Sequence, residues 1–269
     1  MAASTYTNAM VHIRRDEGGY VNHKLDPGGA TNFGVTQAVY DAFRKRNGYP
    51  ARSVKQITST EVDVIYRTQY ADKVRYDDLP AGVDYATLDA AVNSGVSRGA
   101  KWLQLSVGAS ADGQVGPQTL AKTKSADPVK TIKDICFRRL SFVQSLKTWT
   151  TFGKGWSRRI AGVEANAVKM SLETRTTSAR GVTAHLEAEA TVATNTSKSQ
   201  NSAAGASAVA SGTSTTSAAT ITDLDTATVV ILSVVAVGLV VLTIHLIRKS
   251  RINRDRAEAY AAVAAGATP

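Results

Sequence analysis

Glu17 and Asp26 stand at the two ends of a glycine-rich stretch, and Thr31, Asn32 and Thr36 follow within ten residues of Asp26. Two carboxylates held on neighbouring rigid elements suit acid-assisted glycoside cleavage. One protonates the leaving oxygen, and the other steadies positive charge on the sugar or steers water. The same residues also fit a surface glutamate and a turn aspartate, because Asp before Pro-Gly is ordinary turn chemistry. The company Glu17 keeps favours chemistry. Tyr6, Met10, Ile13 and Glu17 fall at i, i+4, i+7 and i+11 of a helix expected from about Ser4, so Glu17 shares its apolar stripe. A carboxyl at the end of a buried stripe is expected to hold its proton tightly, as a general acid must.

The elements around this pair can be placed from local signals. Gly18 and Gly19 stop the first helix. Asp26-Pro27-Gly28-Gly29 is expected to turn between short strands at Tyr20–Asn22 and Thr31–Val35. Thr36 caps a helix running to Asn47, with Gly48 as its stop. Thr58 and Glu61 form a capping box for a helix that turns Val62, Ile65, Tyr66 and Tyr70 inward. Helices follow at Ala81–Gly95 and Lys101–Val107, then a loop from Gly108 to Pro117. Asp127-Pro128 opens a long helix with Ile132, Ile135, Cys136, Leu140 and Val143 on its apolar face. A last helix carries Trp156, Ile160, Val163 and Met170. The fold class expected is mainly α (α+β): a helical bundle with one small β-hairpin at the active site.

Composition divides the rest of the chain. Residues 173–225 are dominated by Ala, Ser and Thr, and are expected to form a disordered linker. Ala227–Ile247 is an uncharged 21-residue run, long enough for a single transmembrane helix over 226–247. The N-terminus lacks the apolar core of a secretory signal, so membrane contact is expected at the far end. The net charge of +10 is uneven. Residues 122–172 hold eleven Lys/Arg against three Asp/Glu, which suits either a polyanionic partner or a solvated basic face. No nucleic-acid recognition motif is present, and nucleic acid is not an expected partner. The lone Cys136 excludes an internal disulfide, and no cluster has metal-ligand spacing. No metal or cofactor is expected.

The string E-G-G-Y, then D-x-G-G-x-T-x-x-G-V-T, resembles the signature of the glycoside hydrolase family 108 N-acetylmuramidases of phage and bacterial endolysins. The downstream stretches DAAVNSG from Asp89, WLQ from Trp102 and DGQVGPQTL from Asp112 resemble the peptidoglycan-binding region of such enzymes. FRRLSFVQSL and FGKGWSRRI, from Phe137 and Phe152, resemble its close. The resemblance implies a lysozyme-like muramidase domain over 1–95 and a helical peptidoglycan-binding region over 96–172. By matching positions it implies Glu17 as general acid and Asp26 as the second acidic residue. Thr31 matches the hydroxyl that holds water, with Asn32 as its rival. The bond cleaved would be the β-1,4 link between N-acetylmuramic acid and N-acetylglucosamine.

Tyr20 and Tyr70 are candidates for stacking on sugars, Asn32 and Asn93 for holding polar substituents, and Gln69 for the same cleft. Tyrosine at helical spacing fits a core as well as a cleft. Trp102, Trp149 and Trp156 are expected as packing anchors.

The tail at 248–269 is basic, and Asp223 and Asp225 precede the apolar run. The positive-inside rule puts that tail in the cytoplasm and, across a single span, the catalytic domain in the periplasm beside its substrate. A span made so late in synthesis, without an export signal, leaves the domain cytoplasmic until the membrane is disrupted. The expected function is a membrane-anchored endolysin of a bacteriophage, acting on the host inner membrane side in lysis. A non-catalytic scaffold that uses the same domain to bind murein or proteins is the alternative.

Overall fold

The computed structural model describes residues 2–22, 30–176, 178–220 and 226–266. The chain divides into two compact units, Met1–Thr150 with Asn166–Thr177, and Thr151–Ala165 with Ser178–Pro269.

The first unit is mainly helical, with one two-stranded sheet among the described residues. Helix α1 (Ala2–Glu17) buries Ala9, Met10 and Ile13 and ends at Gly18, whose positive φ of 71° is a left-handed stop. Strands β1 (Thr31–Asn32) and β2 (Val35–Thr36) pair antiparallel, with Thr31 opposite Thr36. The expectation of one strand over Thr31–Val35 is corrected here. Phe33 and Gly34 take φ of 49° and 73°, the double positive φ of a two-residue hairpin turn. The expected strand at Tyr20–Asn22 survives as a single bridge in which Val21 and Thr31 exchange both backbone bonds at 2.8 Å.

Local capping sets the next helices. Thr36 Oγ1 accepts from Val39 N at the start of α2 (Gln37–Arg46). The box of Thr58 and Glu61 opens α3 (Ser59–Tyr66). The chain then widens into a π turn over Arg67–Ala71.

Helix α4 (Val83–Ser94) is buried along most of its length and is the centre of the unit. It packs against α1, α5 (Val96–Ser106) and α7 (Pro128–Gln144). The approach of α5 requires Gly99, where an added Cβ would lie 2.8 Å from Ala91 N. Helix α6 (Pro117–Ser125) follows the loop that begins at Gly108. A fully buried ion pair between Asp89 on α4 and Arg139 on α7 holds the two helices together, with 0% and 1% of these side chains exposed. The expected boundary at residue 95 therefore falls inside one compact unit.

Helix α8 (Trp149–Arg175) supplies residues to both units. In the second unit, α9 (Ala179–Thr220) occupies most of the disordered linker expected over 173–225, of which residues 177 and 221–225 lie outside the described residues. The correction has a physical basis. Ala is the best helix former. Thr191, Thr194 and Thr196 satisfy their hydroxyls on carbonyls four residues earlier, which accommodates them in the helix without adding to its stability. The helix also has a partner, α10 (Thr226–Ala264), along which its small side chains pack closely. Composition alone registers the lack of large side chains and misses the partner. Helix α10 runs without a break from the apolar run through most of the expected tail.

Candidate active site

The two ends of the sequence signature are fixed to the same helix. One turn before Glu17, Arg14 donates to Asp63 Oδ1 on α3 at 3.0 Å, and Tyr6 OH donates to Asp63 O at 3.0 Å. Three residues further along α3, Tyr66 OH donates to Phe33 O in the hairpin turn at 2.9 Å. Residues three apart lie on one helix face, so one face of α3 sets both the Glu17 end of α1 and the β1–β2 hairpin.

The hairpin has a second attachment. Asn32 is buried, and its Nδ2 donates to Val54 O at 3.2 Å and Lys55 O at 3.3 Å. Beside it, Val54 N donates to Gln37 Oε1 at 2.7 Å. The Asn32 and Gln37 side chains thus stitch the hairpin and the start of α2 to the 3₁₀ turn Val54–Gln56. Phe33 holds a left-handed backbone that costs a non-glycine residue about 1–2 kcal/mol. The Tyr66 bond to its carbonyl helps offset that cost.

Glu61 anchors the base of α3. It accepts from Thr58 N at 2.9 Å, Tyr40 OH at 2.9 Å and Arg44 at 2.7 Å, and it pairs with Arg52. Burial works to raise its pKa, but the Thr58 and Tyr40 hydrogen bonds and the charge of Arg52 hold it below the usual carboxylate value. Four neighbours thus keep Glu61 ionised, a structural role.

Among the sequence-predicted residues, the Glu17 backbone closes α1, and its side chain lies outside what is described. Asp26 lies outside the described residues. Thr31 is half-buried on β1, and Thr36 is a helix cap. Tyr20 is 40% exposed, with Lys55 Nζ 5.5 Å from its ring centre. Gln69 and Tyr70, both half-buried, lie on the π turn that follows Tyr66, and the Tyr66 and Tyr70 rings are 5.5 Å apart. Such turns recur at functional sites. Asn93 is exposed near the end of α4, beside Ser94.

Residues 10–95 match the family model described as Glycosyl hydrolase 108. Ten solved chains also match, among them one described as the structure of Brucella abortus SagA. It is 44% identical over 63% of this chain and 97% of that one, with a TM-score of 0.55. The chain belongs to the glycosyl hydrolase 108 family. Comparison with curated proteins returned no match. Family membership makes it a glycoside hydrolase of the peptidoglycan-degrading kind. In this glycosyl hydrolase 108 protein, the family match spans both anchors on α3, Asp63 and Tyr66. Sequence inspection did not single out Phe33, Tyr66 or Asp63 as positioning groups. Gly34 supplied half of a two-residue turn signal, and Phe33 before it masked the other half, since a bulky residue disfavours positive φ. The π turn left none.

Proposed function

We propose that the chain is an endolysin-type N-acetylmuramidase that cleaves the β-1,4 bond between N-acetylmuramic acid and N-acetylglucosamine. The observation that carries this reading is the common hold of α3 on the Glu17 helix end and on the hairpin. Two reacting groups must be kept at a fixed separation across the scissile bond, and a rigid helix face behind the end of α1 and the β1–β2 hairpin supports that reading.

Glu17 protonates the glycosidic oxygen as the bond breaks. Asp26 stabilises the oxocarbenium character of the sugar or takes a proton from the attacking water. The Thr31 hydroxyl holds that water. Tyr20, Gln69, Tyr70 and Asn93 line the sugar subsites, and Asn32 acts by fixing the hairpin. Residues 96–172 bind the wall polymer. The apolar part of α10 anchors the enzyme in the inner membrane of a bacteriophage host, where it serves lysis.

The test is release of soluble fragments from purified peptidoglycan by the full chain in detergent, beside Glu17→Gln. Reducing muramic-acid ends from the parent, with at least 100-fold less from Glu17→Gln, is the expected result. A folded parent that binds peptidoglycan and releases nothing would replace this reading with the scaffold.

A further inference from the structure

The far end of α10 is docked on the other two helices of the second unit. Buried Glu164 on α8 accepts from Arg256 at 2.6 Å and from Tyr260 OH at 2.9 Å, and Ser157 Oγ donates to Asp255 at 2.6 Å. On α9, Ser197 lies opposite Ser250, with each hydroxyl 3.0 Å from the other residue's carbonyl oxygen. Tyr260 and Val263 of α10 are buried, and so are Leu186 of α9 and Val163 of α8. The apolar run just before this end is left bare, with Val234, Val237 and Val241 all more than 60% exposed.

Chain continuity limits what that run can do while its end is docked. Only residues 221–225 separate α9 from α10, so two helices packed along each other must run antiparallel, with Ser197 and Ser250 far from the connection. The run over 227–247 is about 32 Å long as helix, enough for a hydrocarbon core of about 30 Å. If it spans, residues 226 and 250 lie on opposite faces of the bilayer. Keeping Ser197 beside Ser250 would then require the chain between 198 and 225 to cross as well. Its composition forbids that. More than half of residues 199–222 are Ser, Thr, Asn or Gln, and Asn201 and Ser202 are exposed. As a helix this stretch would turn polar side chains to lipid, and unwound it would leave backbone groups unpaired there. The docked end and a spanning α10 exclude each other.

We propose that residues 250–264 are a latch. Docked on α8 and α9, they hold the apolar run of α10 out of the bilayer, and their release is what allows α10 to span it. This rests on the membrane association proposed above but not on the muramidase assignment.

The two states draw on different contacts of the same helix. The latched state keeps Tyr260 and Val263 buried and Arg256 paired with Glu164, at the cost of leaving the apolar run in water. The spanning state gives that run to lipid and frees the tail. A bilayer therefore shifts the population towards release, because it binds only the spanning state fully. The seat of the latch lies on α8, which also supplies residues to the first unit. Release thus parts the tail from the enzyme's own helix, and spanning sets them on opposite faces. Arg248, Lys249, Arg251 and Arg254 leave with the tail, and their charge favours the cytoplasmic face.

The test locks the latch and asks whether α10 can still span. The Ser197 and Ser250 hydroxyls are 2.9 Å apart, so Ser197→Cys with Ser250→Cys, in a Cys136→Ala background, should form an intramolecular disulfide on oxidation of the full chain in detergent. Failure to oxidise would overturn the docked arrangement. Asn8→Cys and Ala265→Cys are added to the locked and unlocked chains, which are diluted into sealed vesicles of phosphatidylethanolamine and phosphatidylglycerol. A membrane-impermeant maleimide is then counted per chain by mass. The unlocked chain should resist carbonate extraction and take one label, since spanning puts its two cysteines on opposite faces. The locked chain should be released by carbonate at least tenfold more and take two. A locked chain that resists carbonate and takes one label would overturn the latch. Two labels and carbonate release from both chains would instead remove the spanning helix, and the membrane reading with it. Glu164→Gln, which weakens the hold on Arg256 and Tyr260, should become carbonate-resistant at least threefold faster than the parent, and an unchanged rate would also overturn the latch. No readout depends on activity, so a failed muramidase assay leaves these results standing.

Discussion

Asp84 offers the sharpest test of the buried polar groups behind α1. Its carboxylate is fully buried next to the start of α4, where Oδ1 accepts from Gly82 N at 2.7 Å and Tyr85 N at 2.6 Å. Oδ2 accepts from Thr5 Oγ1 at 2.7 Å. Burial pushes the pKa up, the hydrogen bonds bring it only part of the way back, and it stands at about 6 against the usual 3.8. A carboxyl with its folded pKa above its unfolded one contributes its full stability below the unfolded pKa, near 4. That contribution is lost as pH rises through about 6. The rise from 3.8 to about 6 corresponds to about 3 kcal/mol.

Asp84→Asn keeps an acceptor for both backbone N–H groups, and its amide can donate to Thr5. Urea unfolding of the full chain in detergent, followed by tryptophan fluorescence from pH 4 to 8, compares the two proteins. The stability of Asp84→Asn relative to the parent should climb by about 3 kcal/mol between pH 4 and 7, whatever the other groups contribute to both curves. A flat difference would refute the assigned burial cost. A difference of opposite slope would show that the hydrogen bonds outweigh burial and hold Asp84 below its usual pKa.

Three other outcomes are expected. Arg139→Met leaves Asp89 buried and uncompensated and should cost about 3–5 kcal/mol in denaturant unfolding, whereas Arg139→Met with Asp89→Leu should recover most of it. Tyr66→Phe removes the bond to Phe33 O and should cost about 1–3 kcal/mol; turnover of peptidoglycan should fall while binding by sedimentation is kept. Gln104 donates to Asp112 Oδ1, Gln114 O and Thr119 Oγ1 and accepts from Gly113 N, so Gln104→Ala should release the Gly108–Pro117 loop, seen as faster proteolysis there with the helices intact.

Much of the first unit was legible because its signals are local. The caps at Thr36, Thr58 and Asp127 act within three residues of themselves, and each has its hydrogen bond in the structure. The apolar stripes of α1 and α7 follow from helical period alone. What escaped depends on partners far along the chain. Asp84 meets Thr5 across 79 residues and Asp89 meets Arg139 across 50, so neither aspartate differs in sequence from a surface one. The turn at Phe33-Gly34 was hidden by the cost of a bulky left-handed residue, which Tyr66 helps offset from 33 residues away. Helix α9 was hidden for the opposite reason: its own composition is uninformative, and α10 supplies the apolar surface it lacks.

The positioning bonds near the site share a direction that bears on how it works. Arg14, Tyr6 and Tyr66 all bond at the α3 side, through Asp63 or from Tyr66 itself, and Asn32 reaches backward to the 3₁₀ turn. The restraint thus lies behind the Glu17 end and the hairpin. Exposed Tyr20, on the stretch between α1 and β1, is left at the surface with Lys55 against its ring. A polymeric substrate has to enter from the side and leave after cleavage, and a back fixed in this way holds the helix end and the hairpin while it does so. Substitutions at the back should therefore lower turnover by displacing the acid or the hairpin, whereas changes at Tyr20 should act on binding.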